Sequence, residues 1–432
     1  MKQPYDIALS AAQKLLDAGA DAAACSVSQS ELREFNVDVG KFSLLRTTFD
    51  NALSLTAIKD RKRGAVAIND LSDAAIDQAV AECLIAAESA ATDPAWAFAD
   101  VPQDKDFCQG SPEADLDKLF LRTKELLDTV HSEYPKVSME QMIVSHRKVR
   151  RAYHNSHGVS YRTLSGLYGV DLTFSGRDGD KSSSFNGSGA VTDSLDTPLI
   201  DLGAIRQCLA DAEQQVHTVP AEGKYEGTII LTPDCLNSML YSLLGNFVAD
   251  GVLLDGTSPW KDKLGQQVVD PRLSISLLPG HPDIVCGEKY TDDGFLSEGY
   301  DVIKDGVLQN FMLSLYVANK LGARRAPNSS FSLVVAHGDT PLQDILAGVK
   351  KGLLVARFSG GSPSPSGDFS GVAKNSFLIE DGKIAGAVSE TMINGNLAAM
   401  LNNLRAISKE TVKDGTTVLP WLAVDGITIS GK

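Results

Sequence analysis

The stretch NALSLTAIKDRKRGAVAINDLSDAAIDQAVAECLIAAESA, residues Asn51 to Ala90, decides the class of fold. NALSLTAI alternates in the two-residue period of a half-buried strand, and GAVAIND does so again beyond the charged turn KDRKRG. The period then changes. LSDAAIDQAVAECLIAAESA reads as a helix with Ser72 as its N-cap. Strands come as a block and helices stand beside the block, which predicts α+β and not a parallel sheet with a helix after every strand.

Working outward, residues 4–18 place Ile7, Ala8, Ala11, Leu15 and Leu16 on one helical face, and the strands ACSVSQ and REFNVDV follow. These pieces make an N-terminal unit of helix, antiparallel meander and helix, assigned to residues 1–110. TDPAWAFADVPQDKDFCQGSP is rich in Pro, Asp and Gly and is the predicted linker. A middle α+β unit, 111–220, opens with the helix PEADLDKLFLRTKELLDTVHSEYP and closes with DLGAIRQCLADAEQQVHTV. Its strands lie around VSMEQMIVSHRKVRRAYHNS, GVSYRTLSG and LYGVDLTFSGRDG. The remainder, 221–432, is a β-rich C-terminal domain. In it IKDGVLQNFM and IEDGKIAGAV each set Asp-Gly between apolar runs, the local signal of a tight hairpin.

Composition narrows the function classes. The chain has 432 residues, 43% of them hydrophobic and 22% charged, as in a globular protein of two or three domains. No apolar run approaches the roughly 18 to 20 residues that cross a bilayer, so no membrane partner is expected. MKQPYDIALSAAQKLLDAGA reads as an amphipathic helix, not a signal region, and a cytoplasmic location is expected. A net charge of −15 argues against nucleic acid, whose phosphates draw on clustered cations. The one basic cluster, KDRKRG, is expected to be a solvated hairpin tip. Six scattered cysteines without a CxxC pair point to reduced thiols and away from a structural zinc site.

Other seats for chemistry are weak. His154 and His157 in YHNSHG, and His281 and Cys286 in PGHPDIVCGE, lack the geometry of a metal pair on spacing alone. FNGSGAV is expected to be a turn, since no glycine-rich phosphate loop opens a helix. SGGSPSPSG is serine-dense but has no nucleophile elbow, and its prolines favour an extended loop.

The informative segment is TPDCLNSMLYSLLGNFVADGVLLDGTSPWKDKLG. Thr232 as N-cap and Pro233 in the first turn start a helix. Leu236, Met239, Leu240, Leu243, Leu244, Phe247 and Val248 form its buried stripe, and Ser238, Ser242, Gly245, Asn246 and Ala249 the opposite side.

At this point the chain resembles the TldD/PmbA family of bacterial and archaeal peptidases acting on small modified or unfolded peptides. The resemblance is carried by KDRKRGAVAINDLSDAAIDQAV, NSHGVSYRTLSGLYGVDLTF, GTSPWKDKLG and SGGSPSPSGDFSGVAKNSFLIEDGKIAGAVSETMINGNL, in that order over almost the whole chain. Catalytic, TldD-like members carry HExxxH on a helix before a GTS-like triplet, and a C-terminal Cys completes a zinc site. Counted back from Gly256, Thr257 and Ser258, those positions fall on Tyr241, Ser242 and Asn246, and the last cysteine is Cys286. Neutral hydroxyls and an amide are weak zinc ligands, and Ser242 offers no general base. The resemblance therefore implies the PmbA/TldE-like branch, with no catalytic and no metal residue in this chain. Zinc is then expected in a TldD-like metallopeptidase partner, in a heterodimer. Gly360, Gly361, Asp368, Phe369 and Ser370 match the segment that, in the family, lies near the chamber where peptide is handled. Two alternatives stay open: a homodimeric peptide-binding or regulatory protein, and a self-sufficient hydrolase with an unrecognised site.

Overall fold

Residues 3–431 are described by the structure, a computed structural model. The N-terminal half is built on one sheet. Helix α1 (Pro4–Asp17) leads into a long meander of β1 (Ala22–Asp38), β2 (Lys41–Lys59) and β3 (Lys62–Ile68), followed by helix α2 (Asp73–Ser89). Ser72 caps α2 as expected, its hydroxyl accepting the Ala75 N–H at 3.4 Å. Next come β4 (Gln103–Gly110), α3 (Leu116–Glu133), β5 (Val137–Asn155), β6 (Val159–Asp178), β7 (Lys181–Ser182), β8 (Asn186–Thr192) and α4 (Ile205–Gln214).

The sheet order is β3-β2-β1-β5-β6-β4, with β7 and β8 also paired to β6. β1 runs antiparallel to β5 from Ala24↔Asn155 to Asp38↔Gln141, so the sheet passes through the position expected to divide residues 1–110 from 111–220. The cores beneath it remain separate. Ile7, Leu15, Leu53, Leu55, Ile76 and Cys83 pack under α1 and α2. Leu119, Leu126, Met142, Phe174 and Leu209 pack under α3 and α4.

Three local expectations change. The predicted linker holds a strand: β4 pairs in parallel with β6 from Gln103↔Val159 to Gly110↔Gly166. QDKDFCQG conceals it because a sheet-edge strand with one face exposed and the other only half-buried, at Gln103, Phe107 and Gln109, needs little apolar alternation. The strands GVSYRTLSG and LYGVDLTFSGRDG are one continuous strand, β6. FNGSGAV is the strand β8 rather than a turn.

From Lys224 onward the chain is β-rich, as expected: its mostly short strands, together with Thr218–Val219, form a 14-stranded sheet. Val418–Ser430 runs antiparallel to Lys224–Leu231, which pairs in parallel with Lys351–Val355. Both Asp-Gly hairpins turn where predicted, with φ of 49° and 77° at Asp305 and Gly306 and 46° and 77° at Asp381 and Gly382. Two successive positive φ values match the right-handed twist of paired strands. The KDRKRG turn does the same at Asp60 and Arg61. That tip is only partly free: Lys59 pairs with Glu88, and Arg63 lies over the Trp96 ring. Among the described residues no helix is long and apolar enough to cross a membrane.

Candidate functional site

Helix α5 (Pro233–Phe247) is the centre of the C-terminal core. The Thr232 hydroxyl accepts the Cys235 N–H at 3.4 Å and donates to the Ala356 carbonyl at 3.3 Å, fixing the helix start against the sheet. The whole predicted stripe, Leu236 to Val248, is buried. The far end is clamped by the GTSPW loop. Ser258, 4% exposed, donates to the Phe247 carbonyl at 2.5 Å and accepts the Trp260 N–H at 3.0 Å. The Trp260 ring meets Phe247 edge-on at 4.8 Å. The triplet that marks the motif in sequence thus satisfies a carbonyl left open at the helix end.

The outer face of α5 carries the three motif positions, and each is engaged by protein. Tyr241, 60% exposed, lies against the Phe331 ring at 4.7 Å between centroids. The Ser242 hydroxyl donates to the Ser238 carbonyl one turn back at 3.1 Å. The Asn246 amide donates to the carbonyls of Pro363 and Ser364 at 3.2 and 3.0 Å. Asn246 therefore ties the motif helix to the serine- and proline-rich loop, joining two segments that sequence placed in the site separately.

That loop has a defined shape. Gly360 has a φ of 153°, and a Cβ there would come within 2.5 Å of the Gly371 Cα. Gly367, φ 91°, faces the Phe247 ring, where a Cβ would sit at 2.9 Å. Asp368 is exposed, and its carboxylate accepts from the Asn396 amide at 2.9 Å and from the Ser366 hydroxyl at 2.7 Å. Those hydrogen bonds hold its carboxyl below the usual range, the Asn396 bond being the larger influence. Of the chamber candidates, Gly360, Gly361, Asp368 and Ser370 are exposed. Phe369 is not: it is 5% exposed and packs edge-on against Phe358 at 5.6 Å. It supports the segment from below.

The outer strip of α5 leads to Ala249 and Asp250, both in the wall of a cavity of about 760 Å³ between the N-terminal sheet and the C-terminal unit. Small side chains of β1 and β2, among them Ser26, Ser54 and Thr56, floor it. Trp96 and Tyr316, stacked at 3.8 Å, stand at its side. A volume of this order suits a short peptide or a small molecule. Sequence reasoning missed Trp96, Tyr316 and Phe331. The single signal was a tryptophan inside an otherwise linker-like stretch.

The zinc set implied by the resemblance does not fit these residues. A phenol resting on an aromatic ring, a hydroxyl bonded to its own helix and an amide donating to two carbonyls supply no anionic or imidazole donor. Cys235, on the same helix, is fully buried, and burial pushes its thiol up to about 12. No group of three or more His, Cys, Asp or Glu side chains with the geometry to hold a metal occurs among the described residues. The paired candidates elsewhere diverge. His154 meets Ser160 at 2.8 Å while His157 faces the Ala99 carbonyl at 3.3 Å. His281 accepts the Asp283 N–H at 3.2 Å, and the Cys286 thiol points to the Gly415 carbonyl at 3.5 Å.

Residues 222–431 match the PmbA/TldA metallopeptidase C-terminal domain. Metalloprotease PmbA of Escherichia coli O157:H7 is 24% identical over 97% of this chain and 95% of its own length. A zinc metalloprotease TldD homolog of Saccharolobus solfataricus is 27% identical over 49% of this chain and 51% of its own. The crystal structure of TldE from Thermococcus kodakarensis superposes with a TM-score of 0.84, at 20% identity and over 99% of both chains.

Proposed function

The chain belongs to the PmbA/TldD family of metallopeptidases, and on that premise we propose that it is a PmbA/TldE-like subunit. In this proposal it binds no catalytic zinc and acts in the cytoplasm with a TldD-like partner on small or unfolded peptides. One observation carries the proposal: all three motif positions on α5 hold neutral side chains whose polar or aromatic groups are already occupied within the chain. Zinc, nucleophilic water and general base then reside in the partner. The relatives support the assembly by name, one being a TldE and another a TldD homolog.

This chain's contribution is steric and positional. We infer a trough made by the outer strip of α5, the loop held by Asn246 and the cavity that begins at Ala249 and Asp250. Such a trough can hold an extended peptide by backbone hydrogen bonds, which demand little of its sequence. The test is to mix the purified chain with a TldD-like subunit carrying HExxxH, then measure complex mass and hydrolysis of an unfolded peptide with and without chelator. The proposal expects a stable complex, cleavage only in the mixture and abolition by chelator. Cleavage by this chain alone, or indifference to the partner, overturns it.

A further inference from the structure

The cavity of about 760 Å³ has three carboxylates and three guanidinium groups in its wall: Asp250, Asp292 and Asp293, and Arg63, Arg151 and Arg325. All three carboxylates are engaged. Asp292 accepts from Arg151 at 2.9 Å, Asp250 from the Ser314 N–H at 2.9 Å, and Asp293 from the Leu315 N–H at 3.1 Å. Arg325 rests on the Phe295 ring at 3.5 Å and donates to the Ala326 carbonyl at 2.7 Å, with Asp293 and Glu298 as neighbouring negative charges. Arg63 differs. Among the described residues its guanidinium has no carboxylate and no carbonyl acceptor, and it lies over the face of Trp96 at 4.8 Å. Trp96 is itself held. Its ring stacks on Tyr316 at 3.8 Å, and the Tyr316 hydroxyl and the Lys320 ammonium both donate to Asp93 at 2.9 Å. A guanidinium laid on a fixed ring keeps its fork of N–H groups in one plane. Strand register sets the floor beside it. Arg63 of β3 stands opposite Ile58, and Thr56 and Ser54 are the next residues on that face of β2. Their hydroxyls have no partner among the described residues.

We propose that Arg63 is the carboxylate anchor of this cavity, holding the free C-terminus of a short peptide whose body lies along the outer strip of α5. The inference rests on the peptidase reading above in taking peptide as the ligand. The cavity opens from that strip at Ala249 and Asp250, and its volume suits a small ligand, so a chain that enters there also ends there. The satisfied and unsatisfied groups then decide which end it is. An α-ammonium would meet only carboxylates that already hold donors. An α-carboxylate meets a guanidinium fork with free N–H groups, which suits a two-point, charge-assisted contact. The Thr56 and Ser54 hydroxyls are left for the last peptide units. Arg63 would thus set direction as well as affinity, with the C-terminus at β3 and the preceding residues running toward Asn246.

The experiment is calorimetric titration of the full chain with a short unstructured peptide of Ala, Ser and Val, as the free acid and as the C-terminal amide. The acid should bind, the amide on the order of tenfold more weakly or worse, and N-terminal acetylation should change nothing. Arg63→Met keeps an unbranched stem on Trp96 and should bind acid and amide alike, with unchanged circular dichroism. Arg63→Lys should keep part of the preference. No binding of the acid, equal binding of acid and amide, a preference that survives Arg63→Met, or loss on acetylation each overturns the inference. So does an amide ending in Glu that binds as well as the free acid, because the site would then read a side chain and not the terminus. The peptidase reading fails separately. Without cleavage in the mixture with a TldD-like subunit that reading falls while the acid preference stands, and cleavage without any acid preference removes only the anchor.

Discussion

Along α5, Leu236, Met239, Leu240, Leu243, Leu244 and Phe247 are 0–2% exposed, whereas Tyr241, Ser242 and Asn246 lie outside the core. The inner face is held by packing, which constrains volume and shape at every position. The outer face is held by one ring contact and a few hydrogen bonds. Substitution on the outer side need not disturb the helix's place, because different forces act on its two sides.

The largest effects should follow from the inner face. Leu240→Ala or Leu244→Ala, at fully buried positions, should each lower unfolding free energy by about 2 to 5 kcal/mol in denaturant titration. A loss near zero would mean that the stripe is not the helix's anchor. Ser258→Ala comes next. It removes a buried hydroxyl bonded to Phe247 and Trp260 and should cost about 1 to 3 kcal/mol. Asn246→Ala should cost about 1 kcal/mol, through the two hydrogen bonds to the 363–364 backbone. In sequence this position was only a motif seat without a zinc ligand; its hydrogen bonds tie the helix to the 363–364 backbone. In a complex with a TldD-like subunit, this variant should raise KM for peptide more than it lowers kcat. A selective collapse of kcat would instead give Asn246 a part in the chemistry. Tyr241→Ala should be the smallest, within about 0.5 kcal/mol, since the ring it covers is itself on the surface.

What sequence showed and what it hid divide along the same physical line. Helix starts at Ser72 and Thr232 and the turns at Asp305-Gly306 and Asp381-Gly382 were legible, because capping and positive φ are decided within a few residues. The buried stripe of α5 was legible from its period. β4 was not, since a polar edge strand takes its conformation from β6, far along the chain. At the site, motif arithmetic placed Tyr241, Ser242 and Asn246 on one helix, but not the partners that occupy them. Phe331 and the Pro363–Ser364 carbonyls come from distant segments, so no local pattern announces them. Phe369 was expected at the chamber and proved to be core for a related reason. Strand alternation turns it away from its exposed neighbours Asp368 and Ser370.

The measurement that bears most directly on α5 is anomalous diffraction at the zinc edge from crystals of this chain grown with excess zinc. The account predicts no anomalous peak beside Tyr241, Ser242 and Asn246, whatever binds at exposed Cys108 or Cys286. A full-occupancy zinc there, lost in Asn246→Ala crystals, would contradict it.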